Sequence, residues 1–181
     1  MKIGKITHHL VNDAEFIFCG KNIEWNFIEK TTPHTDTRDD IFDTCSFTHM
    51  VYNSENQSRF FELTFLLLEV ILDEINEYEL EDITQVRINL MTKHIESENK
   101  HTYPHRDDTT DMVLLYYVND SDGPTHIFTD GVIHMIKPEK GKFVLFDNEF
   151  HAASFPMEHD TRIVINYNIK LRKRGSINPE N

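Results

Sequence analysis

"HTYPHRDDTTDMVLLYYV", residues 101–118, joins a polar segment bearing His and Asp directly to a strongly apolar run. The apolar part reads as a strand, with Val113, Leu115 and Tyr117 sharing one face. In the polar part, His105 and Asp107 stand at i and i+2. On extended backbone, these positions present an imidazole and a carboxylate to one point in space. The pair suits a metal ion, but alone it is a weak signal, because a chain with 11 His and 31 Asp and Glu residues contains H-x-D by chance.

Reading outward, eight short β-type runs lie between residue 84 and the C-terminal tail: "TQVRINLM", "KHTYPHRD", "MVLLYYV", "THIFT", "VIHMIK", "KFVLF", "HAASF" and "TRIVINYNIK". Turn chemistry separates them at 119–124 ("NDSDGP") and 137–141 ("KPEKG"), and Asp130-Gly131 marks a hairpin between two strands. Upstream, the spacing of Phe61, Phe65, Leu68, Leu72 and Ile75 predicts a helix over about 56–79, with Ser54 or Asn56 as its cap. Phe60, Leu67 and Ile71 widen the apolar stripe, so this helix must cover a large apolar surface. Nearer the N-terminus, "EFIFCG", "IEWNFIE" and "CSFTHMVY" read as short strands, and "TTPHTDTRDD" reads as an exposed loop. A helical first part followed by eight short strands predicts a mainly β fold with a supporting α-helix. The expected architecture is a double-stranded β-helix, or jelly-roll, barrel with helices packed on one sheet. We expect one domain over 1–181: an N-terminal support at 1–83, a jelly-roll core at 84–169 and a polar tail at 170–181.

The formal charge of −13 argues against duplex nucleic acid as a partner, since phosphate neutralisation needs a surplus of Lys and Arg on some face. The one basic cluster, "KLRKRG" at 170–175, reads as a solvated tail. Cys19 and Cys45 have no metal-like spacing and are read as reduced thiols of a cytoplasmic protein. No apolar run reaches the roughly eighteen residues of a membrane span. Neither a G-x-S-x-G elbow nor a phosphate loop is present, which weakens hydrolase and nucleoside-triphosphatase readings.

His151 follows Asp107 by 44 residues, a gap that the intervening strands can fill by circling a barrel and returning beside the first pair. Two His and one carboxylate on one face of an octahedral ion leave three positions open, as non-haem Fe(II) oxygenases need. Arg162 opens the last run, where alternation sorts Arg162, Val164, Asn166 and Asn168 onto one face and Ile163, Ile165, Tyr167 and Ile169 onto the other. The apolar face suits the long helix. The other face points into the barrel and buries a guanidinium, which is costly unless an anion such as a cosubstrate carboxylate meets it. His94, His101, His126 and His134 pair with no carboxylate at ligand spacing and read as surface or hydrogen-bonded residues.

With these motifs in place, residues 84–169 resemble the 2-oxoglutarate/Fe(II)-dependent dioxygenases, especially short prolyl-4-hydroxylase-like members of bacteria and phages. The resemblance rests on H-x-D at 105–107, on "LLYYVNDSDGPTHIF", and on "KPEKGKFVLFDNEFHAASF" followed by "TRIVINYN". It implies that His105, Asp107 and His151 hold Fe(II), and that Arg162 grips the distal carboxylate of 2-oxoglutarate. It implies help from the Tyr117 hydroxyl, with Asn166 a further candidate for the same pocket. Arg87, Asn89 and Tyr103 are candidate pocket residues. "GPT" at 123–125 departs from the family's "GGxT", which bears on the local turn.

The activity implied is hydroxylation of a peptide, protein or small-molecule substrate, with peptidyl proline as the leading guess. It consumes dioxygen and releases succinate and CO2, with ascorbate as a reductant; the compartment would be the host cytoplasm for a phage protein. The alternative is a jelly-roll binding or structural module without catalysis. Oligomeric state is not legible in the sequence.

Overall fold

A computed structural model describes residues 1–29, 45–93, 101–107 and 110–175 of the chain. Its elements in order are β1 (Lys2–Lys5), α1 (His9–Phe18), β2 (Asn26–Ile28), β3 (Ser46–Tyr52), α2 (Phe61–Ile75), β4 (Tyr78–Thr92), β5 (Met112–Tyr117), β6 (Thr125–Thr129), β7 (Val132–Ile136), β8 (Lys142–Asp147), β9 (Phe150–Ala153) and β10 (Thr161–Lys173). They form a seven-stranded sheet in the order β1-β8-β5-β10-β4-β3-β2 and a three-stranded sheet in the order β7-β6-β9. Antiparallel bridges His101↔Ser154 and His105↔His151 lay the segment 101–105 along β9, as a fourth member of the smaller sheet. All eight runs read from the sequence therefore occupy jelly-roll positions, four in each sheet.

Alternation along the strands produces two apolar layers. Val113, Leu115, Tyr117, Val144, Phe146 and Val164 meet Ile127 and Ile136 between the sheets. Residues of the opposite parity, among them Leu114, Tyr116, Phe143, Leu145, Ile163, Ile165, Tyr167 and Ile169, pack with α1 and α2 on the outer face of the larger sheet. The face assignment of the last strand thus holds, and Tyr167 Oη donates to the Thr64 carbonyl at 2.9 Å, tying β10 to α2.

Four boundaries differ from expectation. "EFIFCG" is the end of α1 rather than a strand: Phe16 is 80% exposed and Phe18 1%, whereas on a strand the two would share a face. The main helix runs over Phe61–Ile75, shorter than 56–79. Phe60 occupies its N-cap with no side-chain bond, because Asn53 and residues 55–56 close a separate turn in which Asn53 Oδ1 accepts from the N–H groups of Glu55 and Asn56. At the other end Asn76 turns left-handed (φ 53°) and stops the helix, leaving Tyr78 onward free to lengthen β4.

The basic cluster is not a solvated tail. β10 continues to Lys173 beside β4, Arg172 donates to Glu79 at 2.8 Å, and Arg174 lies 3.7 Å from Asp73. The Asp130-Gly131 hairpin is present, both residues having positive φ (51° and 78°) as a type I′ turn requires. The loop expected at "TTPHTDTRDD" and the residue His94 lie outside the described residues. No helix among the described residues is long and apolar enough to cross a membrane.

Candidate metal centre

His105 and His151 sit opposite each other across an antiparallel bridge, with His105 N–H donating to the His151 carbonyl at 3.0 Å and His151 N–H to the His105 carbonyl at 2.8 Å. Directly opposed residues project from the same sheet face, so the bridge brings the two rings to a centroid separation of 4.6 Å. Asp107 arrives by the i, i+2 step, with His105 Nε2 3.8 Å from Asp107 Oδ1. One potential ligand atom from each of His105, Asp107 and His151 lies within 4.8 Å of the others, the one such group among the described residues. Arg106 turns the other way, to Glu149 at 3.2 Å and over the Phe150 ring.

The donor chemistry fits a metal. Each His sets Nδ1 against a backbone carbonyl, His105 to Tyr103 and His151 to Glu149, both at 3.0 Å. With Nδ1 donating, the Nε2 lone pair is left for an ion. Burial first, and then the neighbouring His105, hold the His151 pKa below its ordinary value, which favours the neutral, ligating form. Asp107 is held at both ends: its N–H donates to Asn148 Oδ1 at 3.0 Å, its carbonyl accepts from Asn148 Nδ2, and its Oδ2 accepts from Asn166 Nδ2 at 2.9 Å. The other amide atom of Asn166, Oδ1, is buried with no hydrogen-bond partner among the described residues.

Arg162 lies at the far end of the same cleft, which holds about 780 Å³ of empty space including its mouth. It is 3% exposed, and its hydrogen-bond partners are neutral: Nε donates to the Gly123 carbonyl at 2.8 Å and Nη2 to Thr125 Oγ1 at 2.6 Å, while Nη1 has only Met91 Sδ at 3.8 Å. Burial lowers its pKa, with Tyr117 opposing. Among the described residues it forms no ion pair, and a buried cation without one is costly unless an anion meets it. Gly123 is required for this arrangement, since a Cβ there would stand 2.5 Å from the Ser154 carbonyl oxygen. The "GPT" departure thus leaves the turn intact and supplies both Arg162 partners.

Of the nine residues singled out in the sequence, His105, His151, Arg162, Asn166, Asn89 and Arg87 line the cleft, and Asp107 meets it through His105 and Asn166. Tyr117 stands behind the wall, fully buried, its hydroxyl donating at 2.7 Å to Thr125, which does line the cleft. Tyr103 is not on the wall either; its carbonyl orients His105. Sequence reasoning missed Met91, Thr125, Thr48 and Asn148. Met91 was findable as the next period-2 step after Arg87 and Asn89. Asn148, in the turn between β8 and β9, had no such signal.

No protein-family model matches the sequence, and no curated protein matches it. Solved structures share the fold. A Pseudomonas putida prolyl-4-hydroxylase superposes with TM-score 0.56 at 15% identity, covering 93% of this chain and 91% of that one. A Burkholderia pseudomallei oxidoreductase of the 2OG-Fe(II) oxygenase family gives 0.63 at 12%, covering 91% and 83%. A Trichoplax adhaerens prolyl hydroxylase in complex with a hypoxia inducible factor peptide fragment gives 0.61 at 12%, covering 93% and 83%. The fold of this chain is that of the 2-oxoglutarate/Fe(II) oxygenases, prolyl hydroxylases included.

Proposed function

We propose that this chain is a 2-oxoglutarate- and Fe(II)-dependent hydroxylase, with His105, Asp107 and His151 holding the iron and Arg162 the distal carboxylate of 2-oxoglutarate. One observation carries the reading: His105 and His151 of the three-residue ligand group and the buried Arg162 guanidinium line a single cleft. When bound, iron, 2-oxoglutarate and dioxygen supply an oxidative decarboxylation to succinate and CO2 coupled to hydroxylation of a C–H bond.

The side chains of this chain perform orientation. The two Nδ1–H···O=C bonds fix both rings and leave each Nε2 free to hold an ion, and Asn148 and Asn166 fix the carboxylate. Arg162, locked by Gly123 and Thr125, offers Nη1 to an incoming carboxylate with little side-chain entropy left to lose. Tyr117 supports Thr125 from behind; burial raises its pKa, so the hydroxyl stays protonated and donating. Val164 and Leu115 supply apolar wall to the cleft. The substrate is a peptide, protein or small molecule, and peptidyl proline is the example offered by the fold relatives.

The test is succinate release from 2-oxoglutarate with Fe(II). We expect turnover in the wild type and none in His151→Ala; full turnover in that variant would overturn the metal assignment.

A further inference from the structure

Arg87 and Arg162 both line the cleft, but strand register sets them apart. Arg162 pairs with Met91 and Asn166 with Arg87, four residues farther along β4 and β10. At about 3.3 Å per residue the two backbone positions are roughly 13 Å apart. The five carbons of 2-oxoglutarate span about 5 Å at ordinary bond lengths, less than that separation, so Arg162 and Arg87 serve different parts of the cleft.

Arg87 is ion-paired to Asp107 only at the limit of contact. Its Nη2 stands 3.5 Å from Asp107 Oδ1, the outer limit of a hydrogen bond, and its Nε is buried with no partner among the described residues. The side chain is 33% exposed, so part of it is open to solvent. Around it the wall is polar, with Thr48 and Asn89 paired across β3 and β4 and joined through Thr48 Oγ1 at 3.1 Å.

Charge balance points the same way. Within the oxygenase reading, a divalent ion, Arg162 and Arg87 carry four positive charges against three negative charges on 2-oxoglutarate and Asp107, so the described residues of the cleft leave one positive charge over, in a chain whose net charge is −13. Low-dielectric walls focus that charge on whatever enters.

We propose that Arg87 anchors a carboxylate on the substrate, so that this enzyme acts on an acid: a free amino acid, or an acidic side chain within a peptide. The proposal rests on the oxygenase reading and names the substrate class of the same site. Arg87 is then a specificity-determining residue facing the substrate, with Asn89 and Thr48 beside it.

The experiment measures stimulation of succinate release, with Fe(II) and 2-oxoglutarate, by three pools: free L-amino acids, capped peptides bearing Asp or Glu, and the amides of the same amino acids. Stimulation by one of the two acid pools and not by the amides is expected, and the pool that works identifies the source of the carboxylate. The best acid and its amide are then compared in Arg87→Gln, with Arg87→Met as a second variant should the first fail to fold. The acid-to-amide preference in kcat/KM should fall about tenfold or more, the worth of one charge-assisted hydrogen bond, and Arg87→Lys should restore part of it. A role confined to holding Asp107 would weaken both probes equally. Stimulation by amides or by a capped neutral prolyl peptide to the same degree, by none of the pools, or an acid preference that survives Arg87→Gln, overturns the proposal. Failure of the oxygenase reading is seen separately, as absence of any Mn(II)- and 2-oxoglutarate-dependent rise in Tm of the wild type.

Discussion

His105 and His151 exchange both backbone hydrogen bonds, at 3.0 and 2.8 Å, and so hold their rings 4.6 Å apart across two extended segments 46 positions distant in the chain. Ligand geometry is therefore a property of sheet register. Because the backbone makes the bridge, His151→Ala should leave the fold intact and remove the metal. Thermal unfolding checks this: the variant should melt near the metal-free wild type and lose the upward shift with Mn(II).

Arg162 is buried among neutral partners. Arg162→Met removes the desolvation cost of a buried charge but leaves the Gly123 carbonyl and Thr125 hydroxyl without their donor, so the two effects offset and ligand-free stability should change by no more than about 1 kcal/mol. The same variant should lose 2-oxoglutarate binding while keeping the metal. Urea unfolding and calorimetric titration measure the two effects.

Asn148 satisfies Asp107 on both sides, accepting from its N–H at 3.0 Å and donating to its carbonyl and, at 3.2 Å, to that of Thr110. Asn148→Ala should cost about 1–3 kcal/mol, as expected when buried hydrogen-bonding groups lose their partner. It should also weaken metal affinity, because Asp107 loses its tether. Asn148→Asp keeps the acceptor for Asp107 N–H but not the two donor bonds and should fall between. Denaturant unfolding and metal titration of the three proteins give the order.

Asp122 accepts from the backbone N–H groups of Met157, Glu158 and His159 and from the His159 ring, closing the segment that precedes β10. Burial acts to raise its pKa, but those donors outweigh it and hold the carboxyl well below the ordinary carboxylate range. A depressed carboxyl contributes stability that is present above its unfolded pKa of about 3.9 and is lost as pH falls from there toward the folded value. Tm measured against pH should drop on the acid side in the wild type, and Asp122→Asn should flatten that limb while lowering Tm at neutral pH.

Tyr167 is fully buried and its hydroxyl donates to the Thr64 carbonyl at 2.9 Å, on the sheet face away from the cleft. Tyr167→Phe should destabilise by about 0.5–1.5 kcal/mol and leave Mn(II) affinity unchanged. A change in metal affinity would mean that the helix layer helps set the site.

The eight jelly-roll strands were legible because period-2 alternation and turn residues agree along them; the face assignment of Arg162, Val164, Asn166 and Asn168 follows from the same parity. Phe16, Ile17, Phe18 and Cys19 misled because aromatic and β-branched residues favour strands locally, while the Val11, Ala14, Phe18 stripe that makes α1 is set by packing on a distant sheet. The start of β4 hid in the helix pattern because Tyr78 and Leu80 continue an apolar periodicity that only the left-handed Asn76 interrupts. Tyr117 shares the inward face, yet Thr125 stands between its hydroxyl and the cleft. Parity assigns a face; it does not give depth.

One cleft should take both a metal and 2-oxoglutarate, the second depending on the first. Thermal unfolding of the wild type with Mn(II), with 2-oxoglutarate, and with both measures this most directly, since a ligand at 100 times its Kd adds about 2.7 kcal/mol of stability. Tm should rise with Mn(II), and rise further with 2-oxoglutarate only when Mn(II) is present. Both rises should vanish in His151→Ala, and the second alone in Arg162→Met. Unchanged melting of the wild type under all three conditions, or a 2-oxoglutarate effect that persists without metal and in Arg162→Met, would contradict it.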